Sequence, residues 1–205
     1  PSSRARRCPS ANSGRKSRSM NSTPYLAAAS RPMPPALRGV LTAQGLEKPR
    51  FAVVLPLEWN AQGGHLLVEV RASGIPQAGD PCFPGGGIEE GESPAQAASR
   101  EMEEELGIVV PPARFLGQLP TVKTYLGSLT DVFVCTVSPE QTARIRRNPA
   151  EVYKLLRVPL DYVLERPDAS VFPYEGESIW GMTAGVIRSF CSAWRAAEQR
   201  LPKTL

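Results

Sequence analysis

The stretch that most constrains this chain runs from Gly86 to Ile108, GGIEEGESPAQAASREMEEELGI. It opens on glycines, passes through an acidic turn and ends in a segment dense in glutamate. Ser93 is a favourable N-cap, Pro94 suits a first helical position, and Gln96 completes a capping box. A helix starting at 94 follows. Gly107 is placed as its C-terminal stop. Ala95, Ala98, Met102 and Leu106 recur at helical spacing and form an apolar stripe that can pack on a sheet. Glu101, Glu104 and Glu105 fall within about 100° of arc at ~3.6 residues per turn, with Arg100 beside them. Like charges three and four residues apart repel. Such a stripe is costly unless a cation neutralises it.

The rest of the chain narrows what that cation could be. His65 is the single histidine, so neither a His-rich metal site nor a Ser-His triad is available. Cys8, Cys82, Cys135 and Cys191 are widely spaced and form no CxxC pair. Free thiols in a reducing cytoplasm are the expectation. Hydrolytic chemistry, if present, then falls to carboxylates and a hard cation. No apolar run approaches the ~18–20 residues of a membrane span. The net charge is +4, but residues 1–20 hold six basic residues and no acid, which leaves 21–205 at −2. The basic balance belongs to the N-terminal segment, so a nucleic-acid partner is not expected.

Residues 1–34 are rich in Ser, Arg and Pro without periodicity and are expected to be a disordered basic tail. The more ordinary sequence begins at Met20, so residues 1–19 are expected to lie upstream of the true start. Residues 35–50 read as a linker with one helical turn within 36–45. A folded domain is expected over 51–200. FAVVLPLEW (51–59) and HLLVEVRAS (65–73) read as strands of a hairpin across a turn at 60–64. A loop (74–81) and a short strand (82–87) lead into the glycines. Further strands are expected within 113–127 and over 128–138, then a short polar helix or loop at 139–151. A strand at 152–160, a short helix at 159–165 and one more strand in 169–176 follow. A last helix spans 178–200, with Ile179, Met182, Val186, Phe190 and Trp194 on its apolar face. Strands mixed with two longer helices predict an α/β or α+β fold, a mixed sheet between helices.

The spacing Gly86, Glu92, Arg100-Glu101, Glu104-Glu105, Gly107 resembles the Nudix box, with every specified position filled. Seven fixed residues at about one-in-fifteen usage give a chance match on the order of 10⁻⁸ per window, too rare for a generic acidic helix. The resemblance implies the Nudix α/β/α sandwich. It also implies hydrolysis of a nucleoside diphosphate linked to another group, assisted by Mg²⁺ or Mn²⁺. Mg²⁺ favours carboxylate and carbonyl oxygens. Position for position, Glu101 and Glu105 are the expected metal ligands, with Glu104 a third ligand or the general base. Gly85 would add its backbone carbonyl, and Gly85 and Gly86 would let the turn approach the substrate and ion. Glu92 and Arg100 would hold loop and helix together as a charge-assisted pair. Glu103 is expected to face solvent, and Glu89 and Glu90 to be loop charges.

Other stretches are similar to the coenzyme A pyrophosphatase subfamily: LLVEVRASGIPQAGDPCFPGGGIE, Asn148-Pro149-Ala150-Glu151-Val152 and IWGMTA at 179–184. The loop before the box departs from that subfamily. It carries Gln77, Asp80 and Pro81 where a His, a Gln and an aliphatic residue are usual, and Glu89 where an acid commonly follows FPGG. The partner implied is a small-molecule nucleotide, coenzyme A or a derivative. The alternatives are ADP-ribose, NADH or an oxidised dNTP, and a non-catalytic nucleotide-sensing domain. Arg71 is the candidate for a substrate phosphate, ahead of Lys123 and Arg114. Glu151 is an option as an additional base or ligand. Tyr174, Trp180 and Trp194 are expected in the core or an interface, and His65 at the surface. The family's habits leave a homodimer open.

Overall fold

The structure is a computed structural model describing residues 32–41, 49–61, 63–124 and 127–200. The expectations for residues 1–31 lie outside the described residues, as does most of 42–50. In chain order the elements are α1 (Leu37–Val40), β1 (Phe51–Asn60), β2 (Gly63–Arg71), β3 (Pro81–Cys82), β4 (Gly85–Gly87) and α2 (Pro94–Leu106). Then come a 3₁₀ turn (Pro112–Arg114), β5 (Gly117–Lys123), β6 (Leu129–Val137), α3 (Pro139–Thr142) and β7 (Val152–Pro159). After these come α4 (Leu160–Leu164), β8 (Phe172–Tyr174), β9 (Glu177–Ile179) and α5 (Gly181–Gln199).

Strand β1 organises the sheet. It pairs parallel with β6 along its length, antiparallel with β4 at Phe51–Val53, and antiparallel with β2 at Leu57–Asn60. Pro56 falls in the gap between the β4 and β2 ladders, where a missing N–H costs least. β2 continues to β7 and β3, and β6 to β5, so the sheet is mixed as expected. The apolar run of β1 is buried on both faces because helices cover both. Ala52 and Val54 point to one side, where Ala98, Met102 and Leu106 of α2 pack. Val53, Leu55 and Leu57 point to the other, against Ile187, Phe190 and Trp194 of α5. This period-two division of one strand between two cores is the three-layer sandwich.

Four details differ from the sequence expectations. The last helix begins at Gly181, and Glu177–Ile179 is a strand that pairs with β8. Glu175 and Gly176 both take positive φ (47° and 86°), which closes a tight hairpin before the helix can start. Ile179 is therefore a buried strand residue, and Trp180 beyond it, expected in the core or an interface, is 53% exposed and so not core. His65 is not a surface residue: it is half-buried opposite Glu58, and burial lowers its pKa. Leu37 and Leu41, in the segment expected to be a linker, are buried in the α5-side core. Leu41 lies so close to Gly117 that a Cβ there would come within 2.0 Å of the Leu41 carbonyl oxygen.

Candidate active site

Helix α2 forms as its caps dictate. Ser93 Oγ accepts from Gln96 N, and Gln96 Oε1 accepts from Ser93 N at 2.9 Å. Gly107 closes the helix in the left-handed conformation, φ 69°. Its apolar face lies on the sheet, and Ala97 joins that face. The acidic face then meets the β4 turn and the loop that precedes β7.

Arg100 ties these parts together. Its Nε and Nη2 reach Glu92 Oε1 and Oε2 at 3.0 and 3.2 Å, the expected fork-to-carboxylate pair. Nη2 also donates to the Gly87 carbonyl at 2.9 Å. Nη1 donates to Glu101 Oε1 at 2.8 Å and to Glu104 Oε2 at 3.1 Å. The side chain thus spends its guanidinium on five contacts that join the turn to the helix. The same contact holds the Glu92 carboxyl below its ordinary pKa.

Three carboxylates converge: Glu101, Glu105 and Glu151 offer oxygens that all lie within 4.8 Å of one another. Glu105 is buried, and its Oε2 accepts from Gly85 N at 2.9 Å. Gly86 makes the close approach possible, since a Cβ on it would fall 2.2 Å from Glu101 Oε1. Burial lifts the Glu105 pKa to about 7; the Gly85 N–H works against that shift, and the neighbouring Glu101 and Glu151 charges add to it. Burial also raises Glu101, with Arg100 opposing. Carboxylates held at this spacing and depth repel one another, and a divalent cation with oxygen preference relieves that repulsion. The donor set fits Mg²⁺ or Mn²⁺: hard oxygens, no thiolate or imidazole among them, and half-exposed members that leave room for water.

The expected residues are distributed as follows. Glu101 and Glu105 meet in the group, and Glu151 joins them from the loop before β7. Asn148 fixes that loop: its N donates to the Glu105 carbonyl at 2.8 Å and its Nδ2 to Glu151 Oε1 at 3.1 Å. Glu104 is not brought into the group; it is exposed and paired with Arg100. Glu103, Glu89 and Glu90 are exposed, as expected. Gly85 serves Glu105 through its N–H. Arg71 ends β2 half-buried, and its Nε donates to the Pro76 carbonyl at 2.9 Å, bracing the 72–80 loop. Lys123 and Arg114 are exposed.

Glu69 was missed. It lies on β2, 1% exposed, with Oε1 lacking a hydrogen-bond partner. Burial and the adjacent Glu105 push its pKa well up. The alternation of HLLVEVR places it on the α2 side of the sheet, the one signal the sequence offered. Cys82, its cross-strand neighbour, is a free thiol whose pKa burial raises to about 12.

The NUDIX domain family matches residues 48–175, more than half of the chain. The chain belongs to the Nudix family. Among its curated relatives, the uncharacterized Nudix hydrolase NudL of Citrobacter koseri is 31% identical over 166 residues, covering 74% of this chain and 86% of that protein. NudL of Escherichia coli K12 is 30% identical over 167 residues, with the same coverage. Solved structures share the fold. A C. elegans Ap4A hydrolase superposes with TM-score 0.52 at 18% identity, covering 72% of this chain and 98% of that one. The Nudix domain of Shewanella oneidensis NrtR, bound to ADP ribose, gives 0.52 at 22%, covering 77% and 91%. This Nudix protein is a pyrophosphohydrolase, and its acidic helix is the box helix of the family. Among the described residues no helix is long and apolar enough to cross a membrane.

Proposed function

We propose that this Nudix enzyme hydrolyses the pyrophosphate of coenzyme A or an acyl derivative, giving a phosphopantetheine and adenosine 3′,5′-bisphosphate. One observation carries the substrate. The three stretches similar to coenzyme A pyrophosphatases, far apart in sequence, touch one another beside the carboxylates. Thr183 Oγ1 of the IWGMTA segment donates to the Pro81 carbonyl at 2.9 Å, just before FPGG. Ala72 N donates to the Glu151 carbonyl at 2.8 Å, and Arg71 N to the Asp80 carbonyl at 3.2 Å. The loop of Gln77 and Asp80 is thereby hung between Arg71 and the site.

Glu101, Glu105 and Glu151 would hold the cation. When bound, a divalent cation screens the pyrophosphate and lowers the pKa of water. Glu104 stands one turn from Glu101 on the open face. Its exposed pair with Arg100 is worth at most ~1 kcal/mol, so its carboxylate is available as a further ligand or as the base that takes the proton of the attacking water. The water oxygen bonds to one phosphorus, and the bond from that phosphorus to the bridging oxygen breaks. Arg71, at the strand end, would take a substrate phosphate once its side chain leaves Pro76. Arg100 and Glu92 position the helix and the turn. The proposed setting is cytoplasmic, with reduced thiols, and the family's habits favour a homodimer.

Purified protein with Mg²⁺ should release both products from coenzyme A, read by mass spectrometry. Turnover of ADP-ribose, NADH or an oxidised dNTP with no cleavage of coenzyme A would overturn the substrate. That second reading is favoured by the loop itself, where Gln77 takes a left-handed φ of 60° in place of the subfamily's histidine. Glu105→Gln should lower kcat by roughly 10² or more. Full activity in that variant would remove the assigned role.

A further inference from the structure

Two cavities of 330 and 380 Å³ lie side by side along the outer edge of β7, sharing Arg147 and Tyr153 as lining residues. Among the described residues β7 pairs with β2 alone, so its other edge is open. Tyr153 is 68% exposed, an unusual placement for a large aromatic on a sheet edge. Three relations place these cavities next to the carboxylates. Leu155, which lines one cavity, pairs across the ladder with Glu69, and Leu155 and Ile145 of the two linings pack against the α2-side core. Tyr153 is two residues past Glu151. Arg147 lies between Arg146 and Asn148, whose N–H groups donate to the carbonyls of Leu106 and Glu105 at 2.9 and 2.8 Å.

The lining is of two kinds. Ile145, Pro149 and Val152 are apolar and surround the tyrosine. Arg147 supplies charge, and its Nη1 is pinned to the strand edge by the carbonyls of Val152 and Tyr153. A guanidinium so anchored keeps further donors on Nε and Nη2. Lys154 lines one cavity but is committed to Glu175 and Glu177 at 3.5 and 3.8 Å. An acidic group that takes a cation and a pyrophosphate therefore adjoins a slot with an aromatic face and one arginine.

We propose that this slot is the nucleoside subsite: the base stacks on Tyr153, and Arg147 takes a phosphate carried by the ribose. The proposal rests on the carboxylate group being the pyrophosphate end of the site. Base–aromatic stacking tolerates any base, because every base has a π face. A planar guanidinium suits a second phosphate better than a hydroxyl. The ligand class is thus a nucleotide with a ribose phosphate besides the one at the cleavage site.

Calorimetric titration of the full chain with adenosine 3′,5′-bisphosphate, AMP and ribose 5-phosphate tests this. None contains a cleavable anhydride, so binding is read without turnover and whichever compound the enzyme hydrolyses. Wild type should bind the bisphosphate most tightly and ribose 5-phosphate least. Tyr153→Ala should weaken the bisphosphate and AMP about tenfold, while Tyr153→Phe retains both. Arg147→Gln should bring the bisphosphate down to the affinity of AMP and leave AMP unchanged. Unaltered nucleotide affinity in Tyr153→Ala, or wild type binding AMP no better than ribose 5-phosphate, overturns the base site. Equal weakening of AMP and the bisphosphate by Arg147→Gln overturns the phosphate contact. Failure to cleave coenzyme A, with these affinities as expected, would remove the substrate reading and leave the subsite standing.

Discussion

Gly86 shows how much one carbon decides. A Cβ there would lie 2.2 Å from Glu101 Oε1, at the end of a side chain that can swing. Gly86→Ala should therefore leave the fold nearly as stable while moving Glu101 out of the group. The expected result is a melting temperature close to wild type and a Mn²⁺ affinity lower by roughly tenfold or more, measured by calorimetry. Gly85 differs. A Cβ on it would lie 2.4 Å from the Ala52 carbonyl oxygen, which is backbone and does not yield. These neighbouring glycines serve two needs, one for the carboxylate and one for the sheet. The motif names Gly86 without saying why, and the contact with Glu101 gives the reason.

Helix α2 acts as the element that aims the site. Its apolar face sits on β1 through Ala98, Met102 and Leu106, which sets its rotation. That rotation puts Glu101 and Glu105 inward and leaves Glu103 and Glu104 exposed. Its start depends on Ser93, whose side chain and Gln96 cap each other. Ser93→Ala should cost about 1 kcal/mol in urea unfolding, with the cation affinity less affected. Arg100 then fastens the far side, through Glu92 and the Gly87 carbonyl. Cap, stripe and stop were legible from spacing, because each is a local relation within one helix and its flanking turns; the arginine pair was implied by the resemblance to the Nudix box. The partner on the opposite side, Glu151, was only an option in the sequence. Nothing local links residue 151 to residue 105; Asn148 does so across the fold.

At the scale of the molecule, the acidic group couples the site to stability. The folded domain holds Glu105 at about 7, above the ordinary 4.5 that it has when unfolded. A raised carboxylate pKa means that the fold favours the protonated form. The metal-free protein should lose stability as pH rises from about 4.5 through 7 and change little from this group beyond. A cation competes with that proton, so Mg²⁺ affinity should climb with pH over the same window and level off above it. Thermal melts at pH 5.5 and 8, with and without Mg²⁺, check both signs: the metal-free melt falls and the stabilisation by Mg²⁺ grows. Trp194 tests the other layer. It is fully buried on the α5 side, stacked at 6.0 Å on Trp59. Trp194→Ala should cost about 3–5 kcal/mol in urea unfolding. In folded protein at low temperature it should leave KM unchanged, since the sheet separates it from the carboxylates.

The sequence by itself determined the helix that carries the box and the mixed sheet between helices, and its resemblance to the Nudix box implied the reaction. Periodicity, caps and glycine stops are short-range, and they survive without knowledge of what packs where. Tertiary structure decided which carboxylates meet. Glu104 has the helical phase of a ligand yet rests on Arg100, while Glu151 and the buried Glu69 arrive from strands and loops distant in the chain. It also turned Glu177–Ile179 into a strand, because a hairpin partner in β8 outweighed a helical pattern of apolar residues. Convergence at the site depends on the register of β2 with β7 and on the packing of α2, and pairing register is written in no single segment.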